Sequence, residues 1–450
     1  MMKKILFVAL SLGLAACAQK IPLEATDYVV PQEWQYAEQE QVWPELDWWE
    51  QFQSQELLSL QQLAKKQNTE LAAMAARLLQ ADYQLKIRGV SKLPTVDASL
   101  GATHNARFSG GGESQRFSAD VGASYELDVW GRLYAQRQAA KSQWLATQFE
   151  QEAVALSVSA EVGRRYIELL AIQEKERIAQ SQLESAEQVL EVVKARVRAG
   201  AVSPMDQMRQ EAQLERQRAA LHPLRQQRIQ AELELATLLG INAKELQVSE
   251  TFQHLAVPST QVGLSSELLL RRPDLQQQEA QLAAAEADVK AARRALYPAF
   301  RLTAGTRQLG DTWSELWRGS WVYNIGASVT QPIFQGGRLR AEHQLSQAKQ
   351  VELLENYRGA LLTAFTEVEI ALSQLDTLAA QYQVQLQVVE ISKELFRLAE
   401  RRYREGADDL LSLLEAQQSL YSAEEALLGL AEQQLQGHIT LYRVVGGGTA

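Results

Sequence analysis

The sequence predicts a mainly α protein with a transmembrane β part, assembled by tandem duplication. Three observations carry that reading. Four stretches alternate apolar and polar residues, two long segments keep helical spacing with almost no breakers, and motifs of one half recur in order in the other.

In chain order, the first element is a targeting segment over residues 1–16. Lys3 and Lys4 give a positive start, Ile5 to Leu12 a short apolar run, and Leu14-Ala15-Ala16 leads into Cys17. The run is too short to span a bilayer. Leu14-Ala15-Ala16-Cys17 resembles a bacterial lipoprotein box, which implies a covalent lipid on Cys17 and a mature chain that begins there. Because Cys17 is the only cysteine, no disulfide forms within one mature chain. By resemblance to sorted lipoproteins, Ala18 in place of an Asp implies the outer membrane. Residues 17–68 are expected to form the lipidated N-terminal segment. Beyond the signal, no apolar run reaches the roughly 18 residues of a membrane helix, so a membrane crossing has to use strands.

Two structural repeats follow, expected over residues 69–258 and 259–450. Leu93-Pro94 matches Tyr297-Pro298, Gly122-Ala123-Ser124 recurs at Gly326-Ala327-Ser328, Gly131-Arg132 at Gly337-Arg338, and Arg196, Arg198 and Gly200 at Arg402, Arg404 and Gly406. Each repeat carries two strands, expected at about 95–106 and 117–128, then about 299–306 and 321–331. In the stretch from Phe117, the residues Phe117, Ala119, Val121, Ala123, Tyr125 and Leu127 alternate with Ser118, Asp120, Gly122, Ser124, Glu126 and Asp128. Period two puts the two sets on opposite faces. Strands of roughly ten residues with one apolar and one polar face suit a membrane barrel with lipid outside and water inside. A soluble sandwich shares the pattern, and the lipoprotein signal tips the reading to the barrel. Four strands cannot close one, since the smallest outer-membrane barrels have about eight. The barrel has to be shared, by two chains or by three.

Leu133 to Val197 contains no proline and one isolated glycine, Gly163; Gly337 to Arg404 behaves similarly. At 1.5 Å per residue each segment makes a helix of about 100 Å, which needs coiled-coil partners along its length. Each helix ends at a turn, near 200 and near 406. Gly200 and Gly406 stop the helices, and Arg198 and Arg404 lie where cations oppose the helix dipole. Ser203-Pro204 with Asp206 then reads as an N-cap, a proline at the first helical position and an acid in the first turn. Both turns are expected at the end remote from the strands.

The rest of the chain excludes function classes more than it suggests them. The net charge of −10 argues against an electrostatic grip on nucleic acid. None of the five histidines has a second His or Cys at metal-ligand spacing. There is no Gly-x-Ser-x-Gly elbow and no phosphate-binding loop on a strand-to-helix turn; Gly110 to Gly112 reads as a hairpin tip and Gly446 to Gly448 as a tail. Asp408 and Asp409 stand together without the other parts of an acid–base site. No enzyme is expected.

Several motifs, in order, resemble one family: SYELDVWGRL from Ser124, RVRAGAVSPMDQ from Arg196, ELLLRRPDLQQQEAQLAAA from Glu267, QPIFQGGRLRA from Gln331 and RRYREGADDLLSLLEAQQSL from Arg401. They are similar to the outer membrane efflux proteins related to TolC, and with Cys17 to the lipoprotein branch often labelled NodT or OprM-like. The resemblance covers nearly all of the chain after about Trp43. It implies a homotrimer in which each chain gives four strands to a twelve-stranded β-barrel in the outer membrane and long helices to an α-helical barrel through the periplasm. Carried over by motif, Asp206, Tyr403, Asp408 and Asp409 would form the periplasmic gate. Arg198, Gly200, Ala201, Arg404 and Gly406 would meet a periplasmic adaptor. TolC itself has an arginine where Asp408 stands, so an arginine lock does not transfer. Trp130 would join an interfacial aromatic girdle.

The function implied is a passive exit duct for drugs or other small toxic compounds, fed by an inner membrane pump of the RND type through the adaptor. Partners are thus further copies of the chain, the adaptor, the pump and outer membrane lipids, with no cofactor beyond the lipid on Cys17. The alternatives are a duct for type I protein secretion and a lipid-anchored periplasmic coiled-coil scaffold.

Overall fold

The computed structural model describes residues 34–35, 43–44, 48–106, 112–260, 262–263 and 267–448. The signal segment, Cys17, Gly110 and Gly111 lie outside the described residues. The elements run α1 (Gln55–Gln67), α2 (Thr69–Val90), β1 (Thr95–Asn105), β2 (Ser114–Leu127), α3 (Arg132–Arg198), α4 (Pro204–Leu239), α5 (Pro273–Arg294), β3 (Ala299–Gly310), β4 (Val322–Thr330), α6 (Arg338–Glu405) and α7 (Leu410–Val444), with short helical turns between them. No helix among the described residues is long and apolar enough to cross a membrane.

Two compact units interleave along the chain. One takes Leu79–Thr147 and Gln277–Gly359; the other takes the described parts of Val30–Leu78, Gln148–Gln276 and Ala360–Ala450. The first unit therefore gathers the strands of both halves of the sequence.

In that unit the strands form one antiparallel sheet in the order β1-β2-β3-β4. The register explains the alternation. Val96, Ala98, Leu100 and Ala102 oppose Ala123, Val121, Ala119 and Phe117. Tyr125, Ala123 and Leu127 oppose Leu302, Ala304 and Phe300. Those in turn oppose Ala327, Ile325 and Val329. Directly paired residues share a face, so one face of the sheet is apolar across all four strands. The other face holds Ser99, Asp120 and Arg307 in one row, and Glu126, Arg301 and Ser328 in another. Asp120 and Arg307 form an ion pair across this polar face. β3 continues four residues beyond the expected end near 306, to Gly310, because its far end is covered by the loop that follows.

The second unit has a helical core around an aromatic cluster. Trp48 stacks on Tyr442 with ring centroids 4.2 Å apart, and Phe52, Leu57, Tyr166, Ile167, Leu235, Leu239 and Ile439 are fully or nearly fully buried around them. The isolated Gly163 of α3 is there because Trp49 lies on it: a Cβ at this position would sit 2.5 Å from the Trp49 ring and 2.9 Å from Ile439. Arg272 is buried at the start of the second half, bound to Asp274 at 2.7 Å and Glu367 at 2.8 Å and donating to the Val444 carbonyl oxygen. The Gly446 to Gly448 stretch is more than a tail: the Gly447 N–H donates to the Tyr442 carbonyl oxygen at 2.8 Å, and Gly446 lies against the Arg271 backbone.

Candidate functional site

The residues expected to gate the entrance come together in the second unit, around the two helix turns. Each turn is closed in the same way. Gly200 has φ +71° and Gly406 φ +79°, the left-handed conformation that ends a helix at little cost only for glycine. The Ala201 N–H reaches back to the Arg196 carbonyl oxygen at 2.9 Å, and the Ala407 N–H reaches Arg402 at the same distance. These carbonyls would otherwise lack partners at the helix end. Arg198, Gly200, Ala201, Arg404 and Gly406 are all exposed in the chain.

The return helices are capped by the acids. Ser203 caps α4: its Oγ accepts from the Met205 N–H at 3.1 Å, while the Asp206 carboxylate accepts from the Ser203 N–H at 3.2 Å. Asp409 caps α7 by accepting from the Ser412 N–H and hydroxyl, both at 2.9 Å. The backbone and side-chain hydrogen bonds from Ser412 hold the Asp409 carboxyl below its ordinary range. Asp408 makes a different bond, to Arg402 Nε at 3.0 Å. The two neighbouring acids thus have separate tasks.

Tyr403 joins the turns. It is 1% exposed, packed among Val189 and Val193 of α3 and Leu410, Leu413 and Ala416 of α7. Arg196 of the first turn lies over its ring, 4.5 Å from the centroid, and also donates to its carbonyl oxygen. A cation at the carbonyl end of a helix is favoured by the helix dipole, and its stacking on the ring adds a cation–π attraction. The Tyr403 hydroxyl is buried without a hydrogen-bond partner among the described residues. Burial pushes its pKa up, opposed by Arg196 and reinforced by Asp206. Arg196 is the residue that sequence reasoning left without a role. Its match to Arg402 was visible, but the two arginines diverge: Arg402 stays in its own turn with Asp408, whereas Arg196 crosses to the other.

The sheet of the first unit is the second functional element. Among the described residues, its edge strands β1 and β4 each have one side without a paired strand, and their apolar residues are exposed, Val96 at 68% and Ile325 at 82%. Trp130 follows β2, its indole N–H donating to the Pro298 carbonyl oxygen at 2.8 Å and its ring 5.2 Å from Tyr297. Among the described residues no group of His, Cys, Asp and Glu is arranged to hold a metal ion.

A two-faced sheet in one unit and long helical hairpins in the chain are the parts expected of a channel protomer, and comparison with known proteins decides the reading. The sequence profile described as "Outer membrane efflux protein" matches residues 60–241 and 264–447. The pyoverdine export outer membrane protein OpmQ of Pseudomonas aeruginosa is 38% identical over 462 residues, covering 99% of this chain and 97% of that one. The probable outer membrane lipoprotein SilC of Salmonella typhimurium is 27% identical over 388 residues, covering 86% of this chain and 84% of that one. Among solved structures, the open state of the MtrE outer membrane channel of Neisseria gonorrhoeae superposes with a TM-score of 0.84 at 28% identity, covering 93% of this chain and 96% of that one.

The chain belongs to the outer membrane efflux protein family. It is an outer membrane channel of an efflux system, with its helical part in the periplasm and the fold of the family's trimeric channels.

Proposed function

We propose that three copies close a twelve-stranded barrel, and that the assembly is the passive exit duct of a tripartite efflux system. An adaptor in the periplasm and an inner membrane pump of the RND type supply cargo and energy, and a lipid on Cys17 anchors the chain. The observation that carries this reading is the sheet. Among the described residues both edges are unpaired, and one face is apolar across all four strands, so joining β4 of one copy to β1 of the next removes every edge. The chain performs no catalysis in this reading.

The turns form the entrance. Asp206, Tyr403, Asp408 and Asp409 hold it shut, and Arg198, Gly200, Ala201, Arg404 and Gly406 offer the surface that the adaptor grips. The exposure of Arg198, Gly200, Ala201, Arg404 and Gly406 and the Arg196–Tyr403 latch support this. The test has two parts. The native mass in mild detergent should correspond to three chains; a stable folded monomer would sink the channel. Single-channel recording should then show higher conductance for the joint Asp408→Ala and Asp409→Ala variant, and unchanged conductance would reduce those acids to helix caps.

A more specific cargo is favoured by one comparison. Two relatives, 38% and 37% identical, are named for pyoverdine export. We infer a siderophore-type small molecule as cargo, tested by its accumulation inside cells that lack the chain; unaltered export would return the cargo to other toxic compounds.

A further inference from the structure

The loop that joins β3 to β4, residues 311–321, is a folded element and not an open hairpin tip. Glu315 organises it, its carboxylate accepting from the Asp311 N–H at 3.0 Å and the Thr312 N–H at 3.2 Å. Leu316 at its centre is fully buried. What it covers decides where it lies. Gln308 and Gly310 of β3 are buried, as is Ala119 of β2, and the register pairs Ala119 with Gln308 and Phe117 with Gly310. These residues belong to the apolar face, the same face as Val121, Ala123 and Leu302.

The contacts agree. A Cβ on Gly310 would lie 2.6 Å from the Leu316 nitrogen, so the loop backbone rests directly on that face. Phe117 meets Trp313 edge-on at 5.8 Å, and Trp313 meets Trp317 at 6.1 Å. Gln308 is a polar residue on an apolar face, and the loop shields it: its Nε2 donates to the Gly319 carbonyl oxygen at 2.6 Å. Folding this way leaves Trp313, Trp317 and Trp321 at 53%, 59% and 49% exposure, with Arg318 exposed among them. The polar face, with Asp120 and Arg307, is not what the loop covers.

We propose that this loop is a membrane-interface contact, in which the three tryptophans sit in the acidic headgroup layer of the outer leaflet and Arg318 meets lipid phosphate. The loop joins the strand ends opposite those attached to the helices, and it continues the apolar face that the outer membrane reading turns toward lipid. Indole rings favour that layer because one edge is apolar and the N–H is wet. A guanidinium pairs with phosphate through its planar fork. The loop therefore grips the bilayer from outside the barrel and does not close the pore.

The test uses the full-length protein in phosphatidylcholine vesicles carrying bromine at shallow or deep acyl positions, with iodide as the aqueous quencher. The chain has nine tryptophans, so the signal is the difference between wild type and the combined Trp313→Phe, Trp317→Phe and Trp321→Phe variant, with Trp317→Phe alone as a milder second variant. The expected result is that the fluorescence removed by the substitutions is the part quenched by shallow bromines. Added phosphatidylglycerol should shift that part further to the blue, and Arg318→Gln should lose the extra shift. Single-channel conductance should stay unchanged.

Quenching by iodide alone would place the loop in water, and quenching by neither agent would bury it against a second copy; each overturns the proposal. A rise in conductance would show a lid and overturn it too. Because the inference rests on the outer membrane reading, Trp130→Phe is the control. If Trp130 is quenched by lipid and the loop is not, only this inference fails; if neither is, the barrel fails with it.

Discussion

The aromatic core near Gly163 and the cluster around Tyr403 lie in the same unit and are built oppositely. The first buries Trp48, Trp49, Phe52, Tyr166 and Tyr442 among aliphatic residues from several elements, and packs so closely that α3 has no room for a side chain at position 163. The second has one buried aromatic, a few aliphatics and a polar latch from Arg196, and leaves the Tyr403 hydroxyl without a partner among the described residues. Dense apolar packing resists opening, whereas regions held by few contacts open first. The difference teaches that this fold concentrates its rigidity in the core and holds its proposed moving part with a few replaceable bonds.

The comparison breaks most severely at Gly163. Gly163→Leu would drive a side chain into the Trp49 ring, where a Cβ alone already reaches 2.5 Å. We expect a loss of about 3 kcal/mol or more, since overpacking costs about 1–3 kcal/mol even where neighbours can shift. Thermal unfolding by circular dichroism in detergent should show a lowered midpoint; an unchanged midpoint would show that the core yields as easily as the turns.

Acid attacks the stretch of α7 that packs on Gly163 through Ile439. His438 is buried and its pKa is pushed down from 6.5 to about 4 by burial alone. The unfolded imidazole takes up a proton near 6.5 and the folded one only near 4, so across that interval the unfolded state binds more protons. Stability should decline as pH falls through this window, by roughly 3 kcal/mol in total, and His438→Leu should flatten that slope. Denaturant midpoints at stepped pH values measure it; an unaltered slope in the variant would assign the decline to other groups.

The parts of the molecule also differed in how much of them the sequence disclosed. Alternation revealed the faces of the sheet because strand register conserves it: Val121 and Asp120 lie on opposite sides for the same reason that they alternate. The turns were legible through Gly200 and Gly406, where only glycine takes the left-handed conformation cheaply. Caps such as Ser203 and Asp409 act on residues two or three positions away, so their chemistry also shows locally. The latch did not show, because Arg196 and Tyr403 are 207 positions apart and nothing local pairs them. The long-range contact of Trp49 with Gly163 was hidden for the same reason; an isolated glycine in a helix was its only trace. Nor could period-two reasoning foresee that residues 311–321 fold back over Gln308, which breaks the apolar pattern and extends β3 beneath the loop.

At the turns, the latch itself is the next target. Arg196→Ala removes a charged hydrogen bond to the Tyr403 carbonyl and the stacking on its ring. We expect a local loss of about 2 kcal/mol, the low-end sum of a charged hydrogen bond and an exposed cation–π contact. The loss should appear as faster hydrogen exchange in the last turn of α6 and as higher conductance, with the Gly163 core unaffected. Arg196→Lys should fall between, since it keeps the charge and loses the planar stack. Equal exchange in wild type and Arg196→Ala would mean that the apolar cluster alone holds the turns.

The smallest effect, Tyr403→Phe, separates the ring from its hydroxyl. The ring carries the packing and the Arg196 contact, both of which phenylalanine retains. The hydroxyl is buried and has no partner among the described residues, a state that costs about 1–3 kcal/mol when no partner or water relieves it. Removing it should therefore leave stability equal or raise it by up to about 1 kcal/mol, read as the thermal midpoint of the purified channel. In the closed channel a partner could come from a neighbouring copy of the chain, and then Tyr403→Phe would lower the midpoint and raise the conductance together. The sign of this one change thus tells whether the turn is held within each chain or between chains.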